Sequence, residues 1–287
     1  MKTQDRYKWV VLALFWLAYF FNQADRQVLF TVFPLVKGEL ALSDVQLGLL
    51  GSSFFWMYAL VVPVAGGLGD VLSRRKIIAL AVLAWSVATF CSALAAGFVL
   101  LMIFRAITGA AEAFYYPAAN SMISDYHGQR TRALAMGIHQ TSVYFGIVAS
   151  GTLAGYIGQQ YGWRTAFVAF GGVGSVLAVV IWKTLREPER GQSDREAISS
   201  PIEATSEKSW NVRLADSFRS PSALLLMGAF LGFKVVDAAY LAWMPTLLFR
   251  KFDLSLVEAG FHATFWHHVG AALGVLAGGH IADRWSQ

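Results

Sequence analysis

The amino-acid sequence predicts an all-α, polytopic membrane protein, and three observations carry that prediction. Of its 287 residues, 56% are hydrophobic and only 14% are charged, where a soluble domain averages about 25% charged. Long apolar stretches alternate with short charged breaks, and several stretches exceed the ~18–20 residues that cross a bilayer as a helix. The basic residues in those breaks also alternate between many and few along the chain, as loops on opposite membrane faces do.

Eight spans are predicted, at about 9–35, 45–67, 76–96, 98–122, 132–158, 164–184, 221–248 and 257–281. The first apolar run, Trp9 to Phe33, covers about 37 Å at ~1.5 Å per residue. No small-residue cleavage site follows it, so it reads as a span and not as a signal peptide. Gly38, Gly97, Gly128, Gly162 and Pro221 mark breaks between spans. Placing the N-terminus in the cytoplasm puts 16 Lys and Arg residues on that side and four outside: Lys37, Arg164, Arg250 and Lys251. Arg26, Arg105 and Lys234 fall within spans. A multi-pass protein of the inner (plasma) membrane with a cytoplasmic N-terminus is the expectation.

Three segments follow: 1–185 with six spans, a solvated linker at 186–219, and 220–287 with two more. The linker holds Pro188, Pro201, several serines and seven acids against six bases. Within it Trp210, Leu214 and Phe218 recur every four residues beside Arg213 and Arg219, a pattern that fits either an interfacial helix or a plain tether.

Several function classes drop out. Cys91 is the only cysteine, so no intramolecular disulfide forms. The net charge of +5 comes from residues bordering apolar spans, so no patch for nucleic acid is expected. The adjacent His267 and His268 diverge by about 100° on a helix and lack a completing ligand set, so no metal site is expected. No nucleophile elbow or phosphate loop is present, and the chain is not expected to be an enzyme.

Charges inside the spans are the candidate functional residues. Asp25 and Arg26 interrupt the first span, and Arg105 and Glu112 lie seven apart in the fourth, on one face with Gly109 and Tyr116. Counted from the cytoplasmic ends, Asp25 and Arg105 both sit at about 25 Å depth and Glu112 at about 15 Å. Each unpaired charge costs about 2.5–3.5 kcal/mol at a helix centre, so these groups should face each other or a wet cavity. An Asp25–Arg105 salt bridge that only fixes packing is one reading. A site for protons and an anion is the other, because a partly dry carboxylate can load a proton and an Arg can fork onto a carboxylate. Lys234 and Asp237 neutralise each other or form a possible cavity wall, to which His139 and Gln140 could also belong. Gly151 and Gly155, and separately Gly270, Gly274 and Gly278, form small-residue stripes for close helix packing.

The chain also repeats itself. Leu42–Gly48, LSDVQLG, matches Leu254–Gly260, LSLVEAG, at an offset of 212 residues. Ala65–Asp70, AGGLGD, matches Ala277–Asp283, AGGHIAD, and Pro34 is answered by Pro245. A repeat across two membrane halves marks duplication-built transporters. The second copy holds two spans against six in the first, so the sequence reads as a fragment that would not transport by itself.

Gly66–Lys76, GGLGDVLSRRK, resembles the signature loop of the major facilitator superfamily at Gly66, Leu68, Asp70, Arg74 and Arg75, with Val71 and Ser73 departing from it. Gly279, Asp283 and Arg284 resemble it again in the second copy, and Leu185–Arg190, LREPER, resembles the Pro-Glu motif closing the sixth helix. The family implies six helices per half, a pairing of helices five and eight, and alternating access gated by Gly66, Asp70, Arg74, Arg75, Asp283 and Arg284. ADRQVL in the first span, with RAITGAAEA in the fourth, resembles the anion:cation symporter and spinster-like branches. That resemblance implies Asp25 and Glu112 as proton-coupling residues, and Arg26, Arg105, Asn22 and Tyr116 as substrate-binding ones. The implied function is proton-coupled symport of a small organic anion such as a sugar acid. It would run as a monomer in a lipid bilayer, with the proton gradient as energy source and no cofactor. Spinster-like movement of a lipid or amphiphile, and a non-transporting sensor or scaffold, are the alternatives.

Overall fold

The computed structural model describes residues 2–195 and 220–285; the side chains of 2–5, 70, 194–195 and 275–285 lie outside the described set. The described residues form helices and no strand. In chain order these are α1 (Lys2–Thr31), α2 (Phe33–Leu40), α3 (Asp44–Val71), α4 (Arg74–Ser92), α5 (Phe98–Glu112), α6 (Tyr115–Tyr126), α7 (Gln129–Tyr161), α8 (Trp163–Thr184), α9 (Gln192–Arg195), α10 (Pro221–Phe252) and α11 (Leu256–Trp285). The first predicted span is α1 with α2, and the fourth is α5 with α6. Among the described residues, five stretches are long and apolar enough to cross a membrane by length and composition: 44–69, 74–92, 98–126, 163–184 and 221–252. The proposed interfacial helix around Trp210 lies outside the described residues.

Local chemistry accounts for the boundaries. Pro34 lacks the N–H that would continue the ladder, and the first span is interrupted at Val32 just before it. Gly38 was the expected break, but α2 runs past it and stops at Ala41, which adopts a left-handed φ of 50°. Ser43 and Gln46 then form a reciprocal capping box for α3. Pro117 has the same effect in the fourth span. A proline there cannot donate to Ala113 and crowds its carbonyl, and the helix is broken at Ala113–Phe114. The unbroken stripe from Arg105 to Tyr116 is therefore not what forms. Tyr115 turns into the core while Tyr116 is 38% exposed.

Two apolar clusters stack along the bundle. One joins Val11, Phe15, Trp85, Met122 and Ile181 toward the end bearing most of the basic loops. The other joins Val28, Phe33, Leu47, Leu101 and Phe167 toward the opposite end. The intramembrane charges fall between them. In lipid the helices gain little from apolar burial against one another, so close approach over small residues does more of the work. A Cβ on Gly109 would come within 2.2 Å of the Phe54 carbonyl oxygen, which ties α5 directly to α3.

The pairing of spans five and eight is present, but through different residues of span eight. A Cβ on Gly260 would stand 2.1 Å from the Gly151 carbonyl oxygen, and one on Gly155 2.4 Å from that of Leu256. Gly270 and Gly274, expected in this contact, have nothing within 4 Å of a built Cβ among the described residues. The small face that docks is about three turns nearer the start of α11, where Ala259 and Ala263 are also buried. From α10, Trp243 rests on Phe33 at 5.8 Å between ring centroids, and Arg250 bonds Asp44 at 3.1 Å. The earlier part of α10 keeps Leu224, Phe230, Leu231 and Val235 exposed among the described residues.

Candidate functional site

The four central charges form two linked pairs. Arg26 Nε donates to Glu112 Oε2 at 2.7 Å, joining α1 to the end of α5. Its guanidinium carbon also lies 4.8 Å from the centroid of the Phe54 ring and 5.0 Å from that of Tyr58. Those two rings are four residues apart on α3 and so share a face. The Arg26 side chain keeps 20% of its surface exposed, whereas Glu112 keeps none. Of the four, Arg26 is the group that open space reaches.

Arg105 behaves differently. It is 1% exposed and donates from Nη1 to the Asp25 main-chain carbonyl at 3.1 Å, and from Nη2 to Thr89 at 3.3 Å and Thr108 at 3.4 Å. Its guanidinium lies 5.4 Å from the Phe167 ring centroid. The Asp25–Arg105 salt bridge considered from depth alone is thus replaced by a bond to the backbone. Among the described residues, neither carboxylate oxygen of Asp25 has a partner within hydrogen-bonding geometry, nor do the buried Glu112 Oε1 and Arg105 Nε. An ionised carboxylate without partners in such surroundings is costly. With all four ionised the cluster sums to zero charge, and a single proton changes its balance.

Around it sit the other candidates. Asn22 is buried and its amide oxygen accepts from Gln23 at 3.3 Å. His139 is also buried, stacked on Tyr19 at 4.8 Å between ring centroids and 3.2 Å from the Tyr115 hydroxyl. That hydroxyl donates its proton to the Phe15 carbonyl at 2.7 Å, so His139 Nε2 is the donor in their contact. Gln140 is exposed. Phe54, Tyr58, Thr89, Thr108, Tyr19 and Tyr115 escaped the sequence reading. Only the Phe54–Tyr58 spacing carried a signal, one easily mistaken for an ordinary apolar face.

The basic-end loop is organised by Arg74, which is 1% exposed. It pairs with Asp125, and donates to Glu187 at 2.9 Å, to Ser121 at 2.8 Å and to the Pro188 carbonyl at 3.1 Å. Glu187, from the LREPER stretch, also accepts from the Arg75 amide at 2.8 Å and from the Ser73 hydroxyl at 2.8 Å. Arg75 Nη2 bonds the Trp182 carbonyl at 2.7 Å. Burial pushes the Glu187 carboxyl upward, but these bonds together outweigh it and hold it below the usual range. Nothing lies within 4 Å of a Cβ built on Gly66, so that glycine serves no close contact among the described residues. The side chains of Asp70, Asp283 and Arg284 fall outside them.

In α10, Lys234 bonds Asp237 at 3.2 Å, as the spacing predicted, and Asp237 also contacts His267 at 2.8 Å. No group of three or more metal-ligating side chains occurs among the described residues.

Comparison with known proteins identifies the lineage. The profile of the Major Facilitator Superfamily matches residues 15–287. A probable galactarate/D-glucarate transporter of Bacillus subtilis is 28% identical over 96% of this chain and 65% of its own length. A hexuronate transporter of the same organism is also 28% identical, over 96% of this chain and 64% of its own. The crystal structure of a bacterial homologue of the human lysosomal transporter spinster, inward-facing and unoccupied, superposes with a TM-score of 0.79. It is 30% identical and covers 97% of this chain, which in turn covers 63% of that one. The chain therefore spans about two thirds of the length of these relatives. The matched profile, the helical architecture and the LREPER-braced loop agree: this chain belongs to the major facilitator superfamily.

Proposed function

We propose that the protein serves proton-coupled transport of a small organic anion of the sugar-acid class by alternating access. In this reading 1–185 is the six-span half, 186–219 the linker and 220–287 the first two helices of the second half. The N-terminus lies in the cytoplasm and the bilayer is the plasma membrane. The observation that carries the reading is Arg26, a cation held by one carboxylate and two aromatic faces while still open on one side. A substrate carboxylate can take its free N–H groups, and protonation of Glu112 removes the competing acceptor. Asp25, buried with no partner for its carboxylate among the described residues, is the group best placed to hold the second proton. Arg105, bonded to the backbone beside Asp25, then balances charge and positions α1, and does not clamp substrate. Relatives named for galactarate, D-glucarate and hexuronate support the anion class.

The test is reconstitution of the full-length parent, carrying both halves, in vesicles with and without an imposed proton gradient, with galactarate, glucuronate and the neutral polyol galactitol as solutes. Gradient-dependent uptake of the two acids, with galactitol excluded, is expected. Equal handling of galactitol, or indifference to the gradient, would sink the proposal. Movement of an amphiphile is the second reading, favoured by the 30% identity to the spinster homologue; transfer of a fluorescent lysolipid with no uptake of either acid would select it.

A further inference from the structure

Asp237, His267 and Lys234 form a polar cluster that the site above does not use. The 212-residue offset relating Leu42–Gly48 to Leu254–Gly260 also carries Asp25 onto Asp237, and the Pro34–Pro245 match, offset by 211, brings it within one residue of there. Both acids lie deep in the first helix of their repeat, Asp237 about 24 Å along α10 from Pro221 at ~1.5 Å per residue. Their surroundings differ. Among the described residues Asp25 has no hydrogen-bond partner on either oxygen, whereas Asp237 receives Lys234 on Oδ2 at 3.2 Å and His267 on Oδ1 at 2.8 Å. Tyr240 stacks on His267 at 4.9 Å between centroids. The side chains of Asp237 and His267 keep 18% and 20% exposure, so neither is sealed off by the described helices.

We propose that Asp237 and His267 form a second proton-binding site, placed in the second repeat where the first repeat has Asp25. A carboxylate only accepts, so His267 Nε2 carries the hydrogen of their 2.8 Å contact. The imidazole Nδ1 is then the base that takes a proton from water. Loading converts the contact from a neutral imidazole donor to an imidazolium–carboxylate pair, and the cluster with Lys234 goes from zero to one positive charge. Because Asp237 is on α10 and His267 on α11, the proton strengthens the link between those helices.

The neighbouring groups suit that role. The charged or titratable groups facing the pair are Lys234 and Tyr240 on α10 and His268 on α11, with the His267 and His268 ring centroids 5.1 Å apart. From the helices packed against these two, α7 contributes Tyr144, edge-on to His268 at 5.3 Å. From α1, Gln27 donates to the Leu241 carbonyl at 3.5 Å. His268 Nδ1 contacts the Thr264 carbonyl at 2.6 Å, a bond internal to α11. His267 is therefore the imidazole that bridges the two helices.

The chain, with Cys91→Ser, is spin-labelled through Leu231→Cys on α10 and Leu273→Cys on α11, both exposed positions. The label separation is read in nanodiscs at about pH 5.5 and about pH 8. One short, narrow distance is expected at the lower pH, and a longer or broader distribution at the higher. His267→Gln, which keeps a hydrogen-bond donor, and Asp237→Asn should each abolish the difference, while His262→Gln should leave it. A parent whose distances ignore pH would overturn the proposal, as would a response that survives in both variants. The readout involves no substrate, so either failure leaves the reading of Arg26 and Asp25 untouched.

Discussion

Arg26 and Arg74 are both arginines tied to carboxylates, yet they are built for opposite purposes. Arg74 is 1% exposed and shares its guanidinium among Asp125, Glu187, Ser121 and the Pro188 carbonyl. Arg26 donates a single hydrogen bond, to Glu112, and otherwise meets the faces of Phe54 and Tyr58. A guanidinium that has already committed most of its N–H groups has little left to offer a ligand. An undersaturated one, held over rings that do not compete for its donors, has more. The difference in partners, more than burial or charge, separates a brace from a binding group.

The largest effect expected is on the brace. Arg74→Met leaves Asp125 and Glu187 without their cation, and breaking a buried pair from one side costs about 3–5 kcal/mol. Glu187 is part-exposed, so the lower end of that range applies. The midpoint of denaturant unfolding in detergent measures it, and an unchanged midpoint would show that the Arg74 network contributes no net stability. The counterpart Arg26→Lys should barely move that midpoint. It should weaken sugar-acid binding about tenfold, roughly 1.4 kcal/mol, because the point charge survives and the fork is lost. Calorimetric titration with galactarate checks this; equal affinity would make Arg26 a point charge only.

Glu112→Gln sharpens the same contrast. It imitates the protonated acid and frees Arg26 from its charged acceptor, so anion affinity at neutral pH should rise by a few-fold, within the ~1 kcal/mol of one net hydrogen bond. The affinity should also lose most of its pH dependence. If affinity falls instead, Glu112 helps hold substrate and is more than a counter-ion.

Much of this was legible in sequence for a physical reason: a bilayer forces long apolar runs and makes each charge inside them conspicuous. The spans and the intramembrane charges came from that, while the pairing of spans five and eight came from the family resemblance. What escaped was which partner each charge takes. Depth put Asp25 level with Arg105, but depth does not distinguish a carboxylate from the main-chain carbonyl of the same residue, and Arg105 bonds the latter. Nor could spacing separate Tyr115 from Tyr116, because the turn before Pro117 rotates the helix between Glu112 and both tyrosines. The small stripe at Gly270 and Gly274 was visible, yet the docking face of α11 lies around Gly260. Small residues permit contact without specifying it.

The smallest effect concerns the edge of the brace. Glu187 accepts from the Arg75 amide, in the first turn of α4, as well as from Ser73 and Arg74, so it acts as a remote N-terminal cap. Its carboxyl is held below the ordinary value, with the bonds outweighing burial. A depressed carboxyl contributes stability that is present above its unfolded value, near 4.3, and is lost as pH falls through the folded value. Unfolding measured from about pH 6 down to about pH 3 should therefore show a loss of stability in the parent that Glu187→Gln reduces. At the upper end of that range the variant should be less stable by about 1 kcal/mol, the worth of a typical cap. Glu189→Gln, two residues on, has no such set of donors among the described residues and should leave the profile unchanged. If Glu187→Gln and the parent lose stability in parallel, Glu187 makes these contacts without stabilising them. The brace would then reduce to Arg74 and Asp125 alone.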